Sequence, residues 1–302
     1  RIAIGYGLYL CATVMFSLNG TVVKTILLSG VGAARLSELR AFGGFLVLLA
    51  FVAITRPQAL RIRRDEWKIL LAYGVIGVSL TQFLYFVSIA RIPIGVGLVI
   101  EFTAPIYVVL WARFGQKQAV RSSVWLGLAL AVLGLVLVAN MWEGIAFDGL
   151  GLATGFACAV ALALYYILGE QQRRGDHPRD AISLTMWGLG GASLFWFVLQ
   201  PPWTFPWSDF TGMSTTQLVN NLHFPLWLLA LYMVILGTVV PFSLVTGALG
   251  YITASQASIV GMTEPLLACL IAWIVLGEAL SPLQIFGGLL VLAGVYVAER
   301  SR

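Results

Sequence analysis

The chain has 302 residues, 60% of them hydrophobic and only 10% charged, with a formal net charge of +5. A soluble domain carries about 25% charged residues, so this composition excludes a water-surrounded globule and points to a chain whose solvent is a bilayer. The excess positive charge sits between apolar runs rather than on a polar surface interleaved with aromatics, which excludes a nucleic-acid-binding module.

A spanning helix needs about 20 mostly apolar residues. Ten stretches qualify: 5–27, 33–55, 68–90, 93–113, 122–140, 149–169, 181–200, 225–247, 252–276 and 282–298. The runs are too long, and lack the strict alternation, for barrel strands. The first is too long for a signal-peptide core and is read as a span that stays. It carries Asn19, Thr21 and Lys24, and span 2 carries Glu38 and Arg40. Span 3 sets Ser79, Gln82, Tyr85 and Phe86 on one face by their three- and four-residue spacing. Span 4 holds "VIEFTAP", with Glu101 and Pro105 inside an apolar run. Span 6 carries Tyr165 and Tyr166, and span 7 carries Trp187. The span 7–8 connection has Trp203, Phe205, Trp207 and Phe210 among prolines, a composition expected at the outer membrane surface. Span 9 carries Gln256 and "VGMTEP", with Glu264 and Pro265. Cys11, Cys158 and Cys269 all fall in spans, have no pairing pattern, and read as free thiols.

Basic residues alternate between sides. Arg56, Arg61, Arg63, Arg64 and Lys68 follow span 2. Arg113, Lys117 and Arg121 follow span 4, and Arg173, Arg174 and Arg179 follow span 6. Arg300 and Arg302 end the chain. The intervening connections carry Glu143, Asp148 and Asp209, with only Arg35 and Arg91 near span ends. The positive-inside rule then places both termini in the cytoplasm.

A gapless shift of 160 residues lays 67–140 over 227–300. It superposes Trp67 on Trp227, Gly77 on Gly237, Thr103 on Thr263, Pro105 on Pro265, Gly127 on Gly287 and Gly134 on Gly294. Spans 1 and 6 match through Gly7-Leu8 and Gly151-Leu152. The fold expected is therefore an all-α integral membrane protein of ten transmembrane helices in two five-helix repeats, 1–144 and 145–302. Five is odd, so the second copy enters the membrane from the opposite side. Such inverted repeats build secondary transporters with a midplane substrate site.

Charges inside a span cost about 2.5–3.5 kcal/mol on insertion scales and should face protein or water. Lys24, Arg40, Glu101 and Glu264 meet that description, and Lys24 and Glu101 lie at depths that allow them to pair. Pro105 and Pro265 lack an N–H, so the carbonyls of Glu101 and Gly261, four residues back, lose their helical donors. Each helix break should then face a cavity or a neighbouring helix. The candidate substrate-binding or coupling set is Asn19, Lys24, Ser79, Gln82, Tyr85, Glu101, Tyr165, Trp187, Gln256 and Glu264, around breaks at Pro105 and Pro265. Glu278 reads as an interfacial turn residue.

The segment "TEPLLACLIAWIVLGEALSPLQIFGGLLVLAGVYV" (263–297) resembles the closing part of the EamA-type domain of the drug/metabolite transporter superfamily. The shared features are Glu264-Pro265, the turn Leu276-Gly277-Glu278, and Gly287 and Gly294. In the first half Pro105 is kept, but Ala104 stands for the glutamate and Gln116-Lys117-Gln118 for the turn. The resemblance implies a bacterial inner-membrane exporter of small metabolites, with the amino-acid exporter branch, aromatic amino acids included, as the expected one. A proton-coupled drug exporter of the same superfamily is the alternative.

No cofactor or metal is expected. The histidines, His177 and His223, lie in connections, no span holds a ligand cluster or Cys–His pair, and there is no phosphate-binding loop, which disfavours an enzyme. A scaffold or receptor would not need mid-helix prolines and charges. The expected partners are a small-molecule substrate and lipid. No second copy is called for by any of these features, and a monomer satisfies them.

Overall fold

The computed structural model describes residues 1–89, 91–92, 94–139, 148–214, 223–276 and 281–300. Glu143, the Leu-Gly-Glu turn from Gly277 and Glu278 onward, and Arg302 lie outside the described residues, as does the side chain of Lys24 and with it the Lys24–Glu101 pairing.

Among the described residues, ten apolar helices follow the ten stretches. They are α1 (Ile2–Leu28), α2 (Ala33–Thr55), α3 (Trp67–Ala72, Tyr73–Leu80 and Thr81–Ile89), α4 (Ile94–Glu101, Ala104–Leu110 and Trp111–Gly115) and α5 (Ser122–Val138). The second half repeats them as α6 (Gly149–Arg174), α7 (Ala181–Leu199), α8 (Leu226–Val234, Ile235–Val239 and Val240–Ala248), α9 (Ala254–Gly261 and Glu264–Leu276) and α10 (Pro282–Arg300). Among the described residues, nine of these helices are long and apolar enough to cross a membrane, while α5 has 17 residues. Leucines, valines and phenylalanines such as Leu46, Phe51, Leu133, Phe197 and Leu289 stand exposed on the outside of the bundle. That is where lipid replaces water.

The two halves interleave. α6 packs against α3 and α4 of the first half, and α1 packs against α8 and α9 of the second. α2 lies on α7, and α5 on α10. The α5–α10 contact is reciprocal, as a two-fold repeat requires. Gly127 meets the Gly294 carbonyl and Gly134 meets the Gly287 carbonyl. A Cβ on Gly294 would lie 2.5 Å from the Gly127 oxygen, so only glycine lets the backbones touch. In lipid, where apolar burial between helices gains little, such close packing is the main source of association.

The Thr-x-Pro elements interrupt α4 and α9 alike. α4 stops at Glu101 and restarts at Ala104; α9 stops at Gly261 and restarts at Glu264. The Thr103 hydroxyl donates to the Ile100 carbonyl at 2.6 Å and Thr263 to the Val260 carbonyl at 2.7 Å. The side-chain bonds thus serve the carbonyls one residue before those expected at 101 and 261.

A second symmetric feature has no counterpart in the sequence reading. α3 widens into π-helical turns at Tyr73–Leu80, and α8 does so at Ile235–Val239. The 160-residue shift places 75–79 on 235–239, so the widened turns coincide in the two repeats. The span 7–8 connection forms short 3-10 turns at Pro202–Thr204 and Trp207–Phe210. Trp203 and Trp207 are exposed, while Phe205 and Phe210 stack at 5.6 Å and pack on Val22, Ile26, Leu36 and Met233. The segment seals the ends of α1, α2 and α8.

Candidate functional site

A cavity of about 310 Å³ lies between the halves, walled by α1, α2, α3, α4, α6, α8 and α9. Its charged lining is Arg40, Glu101 and Glu264; its polar lining includes Asn19, Thr81 and Gln82. Aromatic rings supply most of the remainder: Phe16, Tyr85, Phe86, Phe102, Tyr165, Tyr166 and Phe242. A mostly apolar pocket with a few placed polar groups suits an amphipathic small molecule.

The helix breaks and widened turns build this lining. Glu101 ends the first segment of α4, and Glu264 begins the second segment of α9, so both carboxylates flank a break. Glu101 faces the Cys158 thiol of α6, and Cys158 itself contacts the Thr81 carbonyl at 3.2 Å. Ser17 of α1 donates to the Glu264 carbonyl at 3.2 Å, fixing the break of α9 against α1. Arg40 reaches from α2 to the widened turn of α8, and Glu264 lies within its electrostatic reach.

Of the sequence candidates, Asn19, Gln82, Tyr85, Glu101, Tyr165 and Glu264 converge on this cavity. Ser79, Trp187 and Gln256 sit elsewhere. Ser79 is buried and donates to the Ala192 carbonyl of α7 at 3.1 Å. Its one-face spacing with Gln82 assumed a regular helix, and the π-helical turn rotates it away. Trp187 packs beside Phe45. Gln256 completes a capping box with Thr253 at the start of α9 and donates to the Tyr6 hydroxyl at 2.9 Å. Arg40, marked only as a charge inside a span, lines the cavity, as do Thr81, Tyr9 and Tyr166. Their signal was weak: Thr81 precedes Gln82, but nothing local says which tyrosines face inward.

The cavity ends on a tyrosine floor. The Tyr9 and Tyr166 hydroxyls are 2.5 Å apart, and Gly261 abuts both. Tyr165 stacks on Tyr73 at 5.1 Å. Beyond the floor, a second pocket of about 370 Å³ opens between α4, α6 and α9, bordered by Arg121, Glu170, Thr253 and Gln256.

The basic connections close the bundle at that end. Arg179 bonds Glu66, the Ala59 carbonyl (3.0 Å), the Arg61 carbonyl (2.8 Å) and Ser183 (2.6 Å). Glu66 also accepts from the Arg63 amide at 2.9 Å. Burial alone would raise the Glu66 pKa, but the Arg179 and Arg63 bonds and charges outweigh it and hold the carboxyl below its usual range. Tyr6 donates to Glu299, joining the start of α1 to the end of α10. At the opposite end Arg35 bonds Thr204 at 2.8 Å and Arg91 pairs with Asp148 at 3.6 Å.

This arrangement has relatives. The model of the EamA-like transporter family matches residues 3–140 and again 149–299. An uncharacterized transporter of Archaeoglobus fulgidus is 28% identical over 288 residues, covering 94% of this chain and 93% of its own. The threonine/homoserine exporter RhtA of Escherichia coli is 29% identical over 259 residues, covering 84% of this chain and 78% of its own. A solved structure titled "Crystal structure of protein" shares the fold with a TM-score of 0.76 at 17% identity, over 98% of this chain and 96% of that one. Two matched copies, a bundle of apolar helices and a mostly apolar cavity between them lead to one conclusion: the chain belongs to the EamA-like transporter family and is a multi-pass membrane transporter.

Proposed function

We propose that the protein is a secondary exporter of amino acids, aromatic or otherwise amphipathic ones among them, in the bacterial inner membrane. The observation that carries this reading is the central cavity, in which a guanidinium and two carboxylates face a common apolar space. A zwitterion with an apolar side chain complements such a lining. The likeness to a threonine/homoserine exporter supports the same substrate class.

In this reading the repeats are residues 1–144 and 145–302, both termini are cytoplasmic, and the halves rock about the central site. Because α1 and α6 are exchanged between halves, each rocking body draws helices from both repeats. The closed basic end and the Tyr9–Tyr166 floor describe a state shut towards the cytoplasm.

Flux of a panel of amino acids from liposomes is the test. Wild type should move at least one down its gradient. Glu101→Gln and Glu264→Gln should lower that flux with folding intact, and a disulfide across the outer opening should stop it. No flux across a broad panel, or full flux after locking, would sink the reading.

The two carboxylates against one guanidinium in the described lining favour a second reading, a proton-coupled exporter. A pH gradient that leaves flux unaltered would remove it.

A further inference from the structure

The widened turn of α8 leaves a polar corner in the cavity wall. π-helical turns release carbonyls from the ordinary ladder and recur at functional sites. Here the Thr238 hydroxyl bonds back to the Met233 carbonyl at 2.9 Å, and the Gly237 carbonyl is left for a side chain. Arg40 of α2 takes it: Nε donates to Thr238 Oγ1 at 3.1 Å, and Nη2 to Gly237 O at 3.5 Å. Residue 237 has no side chain because Asn19 of α1 occupies that space, and a Cβ there would overlap the Asn19 amide. Arg40 and Asn19 therefore press on the same residue of α8.

Both side chains have capacity left over. A guanidinium has five N–H donors in a planar fork, and Nη1 of Arg40 has no acceptor among the described residues. Asn19 is 4% exposed, yet its Oδ1 has no hydrogen-bond partner among the described residues. A buried polar atom left unpaired costs about 1–3 kcal/mol. Here the oxygen is pressed against Gly237, while the residue borders the cavity beside an arginine with donors to spare.

The corner calls for a ligand with an anionic, planar, two-oxygen group and a cationic donor beside it. The fork matches a carboxylate. A phosphate dianion also fits a guanidinium, but Glu264 lies within reach of Arg40 and would repel the second charge. We propose that the zwitterionic head of an α-amino acid docks at this corner. Its carboxylate lies on Arg40, and its ammonium in the field of Glu264, which lines the same cavity. This rests on the amino-acid reading above. The side chain then extends towards Tyr85, Phe86 and Tyr165, and the head is held by Arg40 of α2 and Glu264 of α9. Thr238 and Gly237 act as positioning residues for the guanidinium.

The test compares ligands that differ only in the head. Full-length protein in nanodiscs is titrated with phenylalanine, phenylalaninamide and phenethylamine, and separately with threonine and threoninamide. Wild type should favour an acid over its amide by about tenfold or more, the range of one charge-assisted bond. Asn19→Asp gives Arg40 an internal carboxylate and should erase that preference while phenethylamine binding persists. Arg40→Lys, which keeps the charge and loses the fork, should reduce it. Asn19→Asp and Arg40→Lys proteins that melt like wild type and still prefer the acid tenfold would overturn the proposal.

Wild type binding neither phenylalanine nor threonine would instead count against the amino-acid reading. The corner is then judged with 3-phenylpropionate: binding lost in Arg40→Lys keeps it, and absence of binding in wild type ends it.

Discussion

Removing the Glu66 charge should loosen the basic end of the bundle by a calculable amount. Glu66 is 4% exposed and its partner Arg179 is 8% exposed, so the pair is screened little. Glu66→Gln keeps an oxygen for the Arg63 amide but removes the charge facing Arg179. Arg179 retains the carbonyls of Ala59 and Arg61 and the Ser183 hydroxyl. The loss should therefore be that of one charged hydrogen bond, about 1.5–3 kcal/mol. Arg179→Ala deletes all four contacts and strands the carboxylate, which should cost about 3–5 kcal/mol. The sign with pH follows from the depressed Glu66 pKa. Its stabilisation is complete above the usual carboxylate value of about 4.3 and fades as pH falls through the lower folded value. Thermal melting of the purified chain at pH 7 and at decreasing pH is the assay. The gap between wild type and Glu66→Gln should be constant near neutrality and shrink in acid. Equal melting at pH 7, or a gap that widens in acid, would refute the reasoning.

Gly294→Val would drive a Cβ to 2.5 Å from the Gly127 oxygen. It should destabilise the bundle by about 1–3 kcal/mol, and an unchanged melt would show that α5 and α10 part freely. Thr238→Val removes the acceptor of Arg40 Nε at nearly constant volume. Amino-acid affinity should fall about fivefold, for one bond worth about 1 kcal/mol, with affinity for phenethylamine unchanged. Tyr166→Phe deletes the hydroxyl contact that closes the cavity floor. A cysteine placed at Val245 should then react faster with a membrane-impermeant reagent applied from the basic end, and an unaltered rate would assign the closure to other contacts.

The helices were legible because crossing a bilayer demands long apolar runs, and the 160-residue repeat followed from glycines and prolines that have few substitutes. The breaks at Thr103 and Thr263 were legible for the same reason, since a proline removes a donor wherever it sits. The widened turns were not. Nothing in "YGVIGVSL" or "ILGTV" marks an extra residue per turn, and that error of phase moved Ser79 onto α7. The corner at Arg40 depends on three helices from two repeats meeting at Gly237. A single span shows a costly arginine but not the carbonyl it bonds. Gln256 illustrates the opposite case: its capping box with Thr253 is a local pattern, three residues apart, and was available in the sequence.

The exchange of α1 and α6 has a consequence during synthesis. The most extensive packing of α1 is with α8 and α9, and roughly 200 residues separate Leu28 from Leu226. At about 5–20 residues per second, α1 waits about 10–40 seconds after its own translation before α8 begins to emerge. During that interval Asn19 sits in a helix without Gly237 of α8 against it. The nascent chain therefore needs a holding partner at the insertion site, or a delay in releasing α1 into lipid, until the last third of the protein has been made.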